Sequence, residues 1–255
     1  MRNAIQALIV LLILLSCGGM FTLAVAKVRE AANRSQCVNN LKQLGMAIEN
    51  YQGTYAKFPK AAEENPKLPP EKRLSWCVAV WPYMESSPIY SKMDHKKGWD
   101  AEENRFAALT VLRPYQCPSY PERPPASTLI PIDYIGITGI GVDAIELPLE
   151  DTRAGFFGYD RALTKADLKC GGSETTMIVE TSQASGAWTA AGSPTSRGLL
   201  PEGSPYFGSE GQFGGNHPRG ANCVLADGSV RFIEKSIDSR VWEAMATLGG
   251  KGNQE

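Results

Sequence analysis

AIQALIVLLILLSCGGMFTLAVAKVREAANRSQCVNNLKQLGMAIENYQGTY, residues 4–55, decides the fold. Its first part, residues 4–26, is 23 residues without a charge. As a helix it extends about 34 Å, enough to cross a bilayer core of about 30 Å. Beyond it, Cys37, Leu41, Leu44, Ile48, Tyr51 and Tyr55 step by 4, 3, 4, 3 and 4. That spacing predicts one apolar helix face. Gly53 and Pro59 are the expected stop. One long helix is therefore expected, with its first half in a membrane and its second half laid on a globular body.

Three fates of the N-terminus follow from its residues. An uncleaved signal-anchor is preferred, because the apolar run is long for a signal peptide. Cleavage after Ala24-Val25-Ala26 is the second reading, and lipidation at Cys17, after Leu14-Leu15-Ser16, the third. Arg2 precedes the run and Lys27, Arg29 and Arg34 follow it, so flanking charge does not decide orientation. The expected division is an anchor over 1–26, a stalk helix over 27–58 and a globular α+β domain over 59–255.

Composition sets the remaining bounds. With 26 Lys and Arg against 27 Asp and Glu, the formal charge is −1, so no basic field points to nucleic acid. Six prolines from Pro114 to Pro131 and eight glycines within 192–220 predict long loops. Residues 74–90 are expected to be helical with a break at Pro82. Strand-length apolar runs lie at 134–137, 156–159 and 175–180. Residues 222–226 and 229–234 flank Asp227-Gly228 and predict a β-hairpin closed by a two-residue turn. Cys223, Leu225, Val230 and Phe232 are then expected on one packed face. A last helix over 238–248 should bury Val241, Trp242, Met245 and Leu248.

Several motifs carry a resemblance. Residues 29–59 (REAANRSQCVNNLKQLGMAIENYQGTYAKFP) resemble the opening of the bacterial prepilin-like family catalogued as domain of unknown function 1559. LSWCVAVWPYMES (74–86), YQCPS (115–119) and SETTMIVETS (173–182) continue the match in order. NHPRGANCVLADGSVRFI (216–233) closes it with His217, nine residues, then Asp227-Gly228, the H-x9-DG signature. The resemblance implies a pilin- or pseudopilin-like plan, in which the long helix packs on an antiparallel sheet. It also implies an extracytoplasmic domain and other pilin-like subunits as partners. One departure stands out. No leader ending in Gly followed by Phe-Thr-Leu-Ile-Glu precedes Ala4, and no glutamate lies within 4–26. That counts against leader cleavage and polymerisation.

Cys37 and Cys117 match cysteines of the family motifs, which leaves two readings open: a disulfide tying stalk to loop, or two buried thiols. Five cysteines lie outside the apolar run, none in a CxxC pair, so a zinc knuckle is not expected. No G-x-S-x-G, H-E-x-x-H or Walker A sequence occurs. His217 and Asp227 alone are too few ligands for zinc or calcium. Both, with Gly228, are assigned structural roles, His217 as a cap on the incoming glycine-rich loop. No catalytic residue, metal or cofactor is expected. The function expected is a single-pass, membrane-anchored envelope protein of structural or interaction role, in contact with the bilayer through 4–26. The alternative is a surface module for polysaccharide or another polymer, with Trp99 and Trp188 as its platform.

Overall fold

The computed structural model describes residues 2–84, 88–120, 129–183, 186–203, 205–208, 210–214 and 217–250, with most side chains of 2–23 outside the description. Helix α1, Arg2–Tyr55, is continuous over 54 residues, about 80 Å. The lipidation expectation at Cys17 and most of the bilayer-crossing expectation for 4–26 concern side chains outside the described ones. Among the described residues, no helix is long and apolar enough to cross a membrane. The helix runs through Gly53 and ends after Tyr55, with Ala56 in the left-handed region at φ 58°. A left-handed residue is the usual device that closes a helix C-terminus.

Around the second half of α1 the chain builds a five-stranded sheet in the order β3-β1-β2-β4-β5. The strands are β1 (Tyr134–Ile140), β2 (Thr176–Glu180), β3 (Ser196–Leu199), β4 (Gly220–Leu225) and β5 (Val230–Glu234). β1/β2, β2/β4 and β4/β5 are antiparallel, whereas β1/β3 is parallel. The sheet is thus mixed, and the expectation of an antiparallel sheet is corrected at its β3 edge. The connection after β2 is long enough to carry β3 across to the free edge of β1 and set it parallel. Residues 156–159 form no strand. Their backbone follows β1 irregularly (Phe157 N–H to Ile137 O, 2.9 Å), and Phe156 and Phe157 fill the core.

The sheet separates two apolar layers. On one side lie Cys37, Leu41, Leu44, Ala47 and Ile48 of α1, all fully buried, with Ile178 and Val224 beneath them. Each Leu or Ile buried there contributes about 1.5–3 kcal/mol. Tyr51 is half-buried and Tyr55 exposed, so the stripe leaves the body at its last turn. Gly45 permits the close approach. A Cβ there would sit 3.1 Å from Val224 Cγ1 and 3.2 Å from Gly228 O. On the other side, α5 (Ser239–Met245) packs Trp242 against Phe207, Phe213, Cys223, Leu225 and Ile233. α5 is shorter than expected, and Val241 is exposed while Trp242, Met245 and Leu248 are buried.

The β4–β5 hairpin forms as expected, with a different turn. Gly228 N–H donates to Leu225 O and Leu225 N–H to Ser229 O, with Gly228 at φ 79°. This is a three-residue loop whose glycine occupies the left-handed bulge position, rather than a two-residue turn. Register then splits the four residues expected on one face. Val224 pairs with Val230 and Asn222 with Phe232, while Cys223 pairs with Arg231. Directly opposed residues share a face. Val224, Val230 and Phe232 therefore face α1, and Cys223 and Leu225 face α5.

The break at Pro82 also appears. α2 (Trp76–Val80) passes into a 3₁₀ turn at Trp81–Tyr83, before two short helices, α3 (Ile89–Lys92) and α4 (Glu102–Ala108). Trp76 of α2 stacks on Phe157 at 5.1 Å, within an aromatic core in which Tyr115 stacks on Trp188 at 5.9 Å.

Candidate metal centre

Cys37 opens the buried stripe of α1, at the stripe position nearest the end of β2 that carries Glu180. Cys117 follows the 3₁₀ turn Arg113–Tyr115, which Pro114 initiates. Its backbone N–H donates to Asp133 Oδ2 at 2.6 Å, which fixes the loop. Glu180 is the last residue of β2 and is fully buried. His217 stands just before β4, bridged to Gly220 across a tight turn through Pro218 and Arg219.

These four residues converge. One ligand atom from each of Cys37, Cys117, Glu180 and His217 lies within 4.8 Å of the others, and all four residues are buried. The two sulfurs are in contact, 2.8 Å apart. His217 Nε2 is 3.8 Å from Cys117 Sγ and 3.3 Å from Glu180 Oε1. On its far side, His217 Nδ1 meets Glu30 Oε1 of α1 at 2.5 Å. Ser119 Oγ–H donates to the other Glu30 oxygen at 3.0 Å. Glu180 is oriented by Asn222, whose backbone N–H donates to Oε2 at 2.6 Å and whose side-chain amide donates to Oε1 at 3.0 Å. Asn40 donates to Gln116 O and to the Tyr134 hydroxyl, closing the cluster against the core.

The electrostatics are those of a crowded polar island. Contact with Cys37 holds the Cys117 thiol down to about 7, with burial opposing and His217 assisting. The same contact, together with burial, pushes the Cys37 thiol far up. Burial works against charge on His217, yet its hydrogen bonds to Cys117, Glu180 and Glu30 outweigh this and push its pKa up to about 11. The Tyr134 hydroxyl is raised, by burial first and the nearby thiols second. Two thiols, an imidazole and a carboxylate in one buried volume form a donor set suited to a thiophilic cation.

The residues singled out in the sequence scatter differently from expectation. His217 joins Cys37 and Cys117 rather than capping a loop alone, since three distant segments bring it partners that local spacing could not show. Asp227 sits past the opposite end of β4, about 20 Å along the strand, and accepts from Ser229 N–H at 2.9 Å. Glu30, Glu180 and Asn222 carry no sequence signal of their own, because the sheet register brings Glu180 to Asn222 and the seating of α1 brings Glu30 to His217. Trp188 is 1% exposed with its indole N–H on Ala107 O, and Trp99 is half-buried. The two therefore form no open platform, since Trp188 is spent on the aromatic core.

A second feature is an open cleft at the far end of α1. Tyr51, Tyr55, Tyr90, Lys60, Glu63 and His95 line about 590 Å³. His95 Nδ1 contacts Glu63 Oε2 at 2.9 Å, so His95 is held in the structure rather than loose on the surface.

No curated protein and no solved structure matches the chain. One family model does, over residues 26–199 and 187–240, and its description is "Protein of unknown function (DUF1559)". With the match covering most of the chain from the stalk half of α1 to α5, this protein belongs to the DUF1559 family.

Proposed function

We propose that the protein is a single-pass, membrane-anchored envelope protein, pilin- or pseudopilin-like in plan, whose extracytoplasmic domain has a structural or interaction role rather than a catalytic one. The observation that carries this is the two-part character of α1. Residues 4–26 are uncharged, and the same helix continues into a face buried on the sheet from Cys37 to Ile48. An apolar run of that length fits a bilayer. Residues 27–29 of the helix are exposed and follow the run, before Glu30 and Arg34 make the first contacts of the helix with the body. The buried cluster also favours a scaffold, since its donors face one another and not solvent. The test is fractionation of the producing cells followed by protease treatment from outside. The full chain should stay with membranes after carbonate extraction and lose its domain to external protease. Intact protein in the cytosolic fraction overturns the reading.

The tyrosine-lined cleft favours a second reading, a binding module for polysaccharide or another polymer. Tyr51 and Tyr55 stand 4.6 Å apart at its mouth, and aromatic faces beside carboxylates suit sugar rings. The short name of the family model, SBP_bac_10, also hints at a binding role. A glycan array showing saturable binding that Tyr55→Ala abolishes supports this reading, and an array without signal removes it.

A further inference from the structure

We propose that Cys37, Cys117, Glu180 and His217 bind one zinc ion, which pins the stalk half of α1 to the sheet. The inference is independent of whether residues 4–26 cross a membrane.

Geometry comes first. Zinc bonds of about 2.0–2.3 Å place tetrahedral ligand atoms about 3.3–3.8 Å apart. The His217 Nε2 to Glu180 Oε1 separation is 3.3 Å and the Cys117 Sγ to His217 Nε2 separation 3.8 Å. Of these three contacts only the sulfur pair, at 2.8 Å, must open, by about 1 Å, and the other ligand atoms lie within 4.8 Å of one another. That shift is within reach of a side-chain rotation at Cys117, which lies in a loop rather than on a helix or strand.

The surrounding shell supports the same assignment. A zinc-bound histidine usually donates its other ring N–H to a carboxylate, and ligating carboxylates are themselves hydrogen-bonded. His217 offers Nε2 to the cluster and Nδ1 to Glu30, while Glu180 is held through both oxygens by Asn222. Charge agrees as well. On binding, both thiol protons and any proton on His217 leave to solvent. Two thiolates and one carboxylate then face a divalent cation, which offsets two of their three negative charges. The thiolates select zinc over magnesium or calcium, which prefer oxygen. Four protein ligands and no open position mark a structural site rather than a catalytic one. Its ligands come from residues 37, 117, 180 and 217, so a single ion would cross-link α1, the proline-rich loop, β2 and the segment entering β4.

The test uses the full chain, isolated in detergent from the cells that make it, without reductant or chelator. Elemental analysis should find about one zinc per chain. A chelator should lower Tm by several degrees, and added zinc should restore it. Cobalt substituted for zinc should give the sulfur-to-metal charge-transfer band and d–d bands of a tetrahedral thiolate site. Glu30→Gln should weaken zinc binding by about 10–100-fold, as loss of a carboxylate partner to a ligating histidine does. Cys170→Ser, on a half-buried cysteine outside the cluster, should leave it unchanged. Should Glu30→Gln fail to fold, the wild-type metal content, chelator response and cobalt spectrum still decide. A Cys37–Cys117 disulfide in a non-reduced peptide map of the isolated protein overturns the proposal. So does a reduced chain that takes up no zinc and melts identically with chelator.

Discussion

Arg161 shows how much one buried side chain can organise. It is 6% exposed, and its guanidinium donates to the carbonyls of Thr138, Ala144, Leu147, Gly155 and Phe157. Burial lowers its pKa to about 10, with Asp151 opposing, so it remains charged at neutral pH. Only a planar fork with five donors satisfies so many acceptors at once. Arg161→Met keeps the stem and orphans those carbonyls, and should cost about 3 kcal/mol or more, read by thermal or urea unfolding. A loss below about 1 kcal/mol would show that water replaces the guanidinium. His95 works on a smaller scale. Its hydrogen bond to Glu63 raises its pKa, against the effect of burial. A folded-state pKa above the unfolded value of about 6.5 adds stability that is complete below that pH and lost as pH rises through the folded pKa. The stability gap between wild type and His95→Gln should therefore be widest near pH 5.5 and narrow toward alkaline pH. A gap that is flat with pH would mean that the pair contributes nothing through charge.

At the scale of elements, α1 and the β4–β5 hairpin depend on each other. Leu44 is fully buried in the α1 stripe, and Leu44→Asp places a charge there without a partner. It should destabilise the domain by about 3–5 kcal/mol, with a matching fall in Tm. Unchanged melting would mean that the stripe serves another surface. The hairpin turn approaches the same helix. Gly228 is left-handed, and a Cβ on it would stand 3.1 Å from the Glu49 carboxyl carbon. Gly228→Val should cost about 2–3 kcal/mol through backbone strain and that contact. Gly53 is the contrasting case, inside α1 with nothing within 4 Å of its added Cβ. Gly53→Ala should be neutral or stabilise by up to about 1 kcal/mol. If the two substitutions cost the same, neither backbone argument holds.

At the scale of the whole molecule, α1 is the axis to which the sheet, the aromatic layer and the polar cluster attach. Its packed half buries one apolar face over β2 and β4, while Arg34 sets its guanidinium 3.7 Å from the Phe232 ring centroid at the sheet margin. What residue order alone determined is what depends on local periodicity and turn chemistry. The long helix and its stripe, the break at Pro82, the strand at 134–137 and the hairpin around Asp227-Gly228 were legible because side-chain spacing and turn residues encode them, and the family was legible through the resemblance of its motifs. Tertiary structure decided the parallel edge strand β3, whose four residues, Ser-Arg-Gly-Leu, show no alternation of apolar and polar side chains. It also placed the Phe156–Phe157 segment as core filling rather than a strand, and turned Trp188 inward. Above all it decided the site. Cys37, Cys117, Glu180 and His217 are 80, 63 and 37 positions apart along the chain. No local pattern relates residues so far apart, and only the seating of a helix on a registered sheet brings their ligand atoms within a few ångströms.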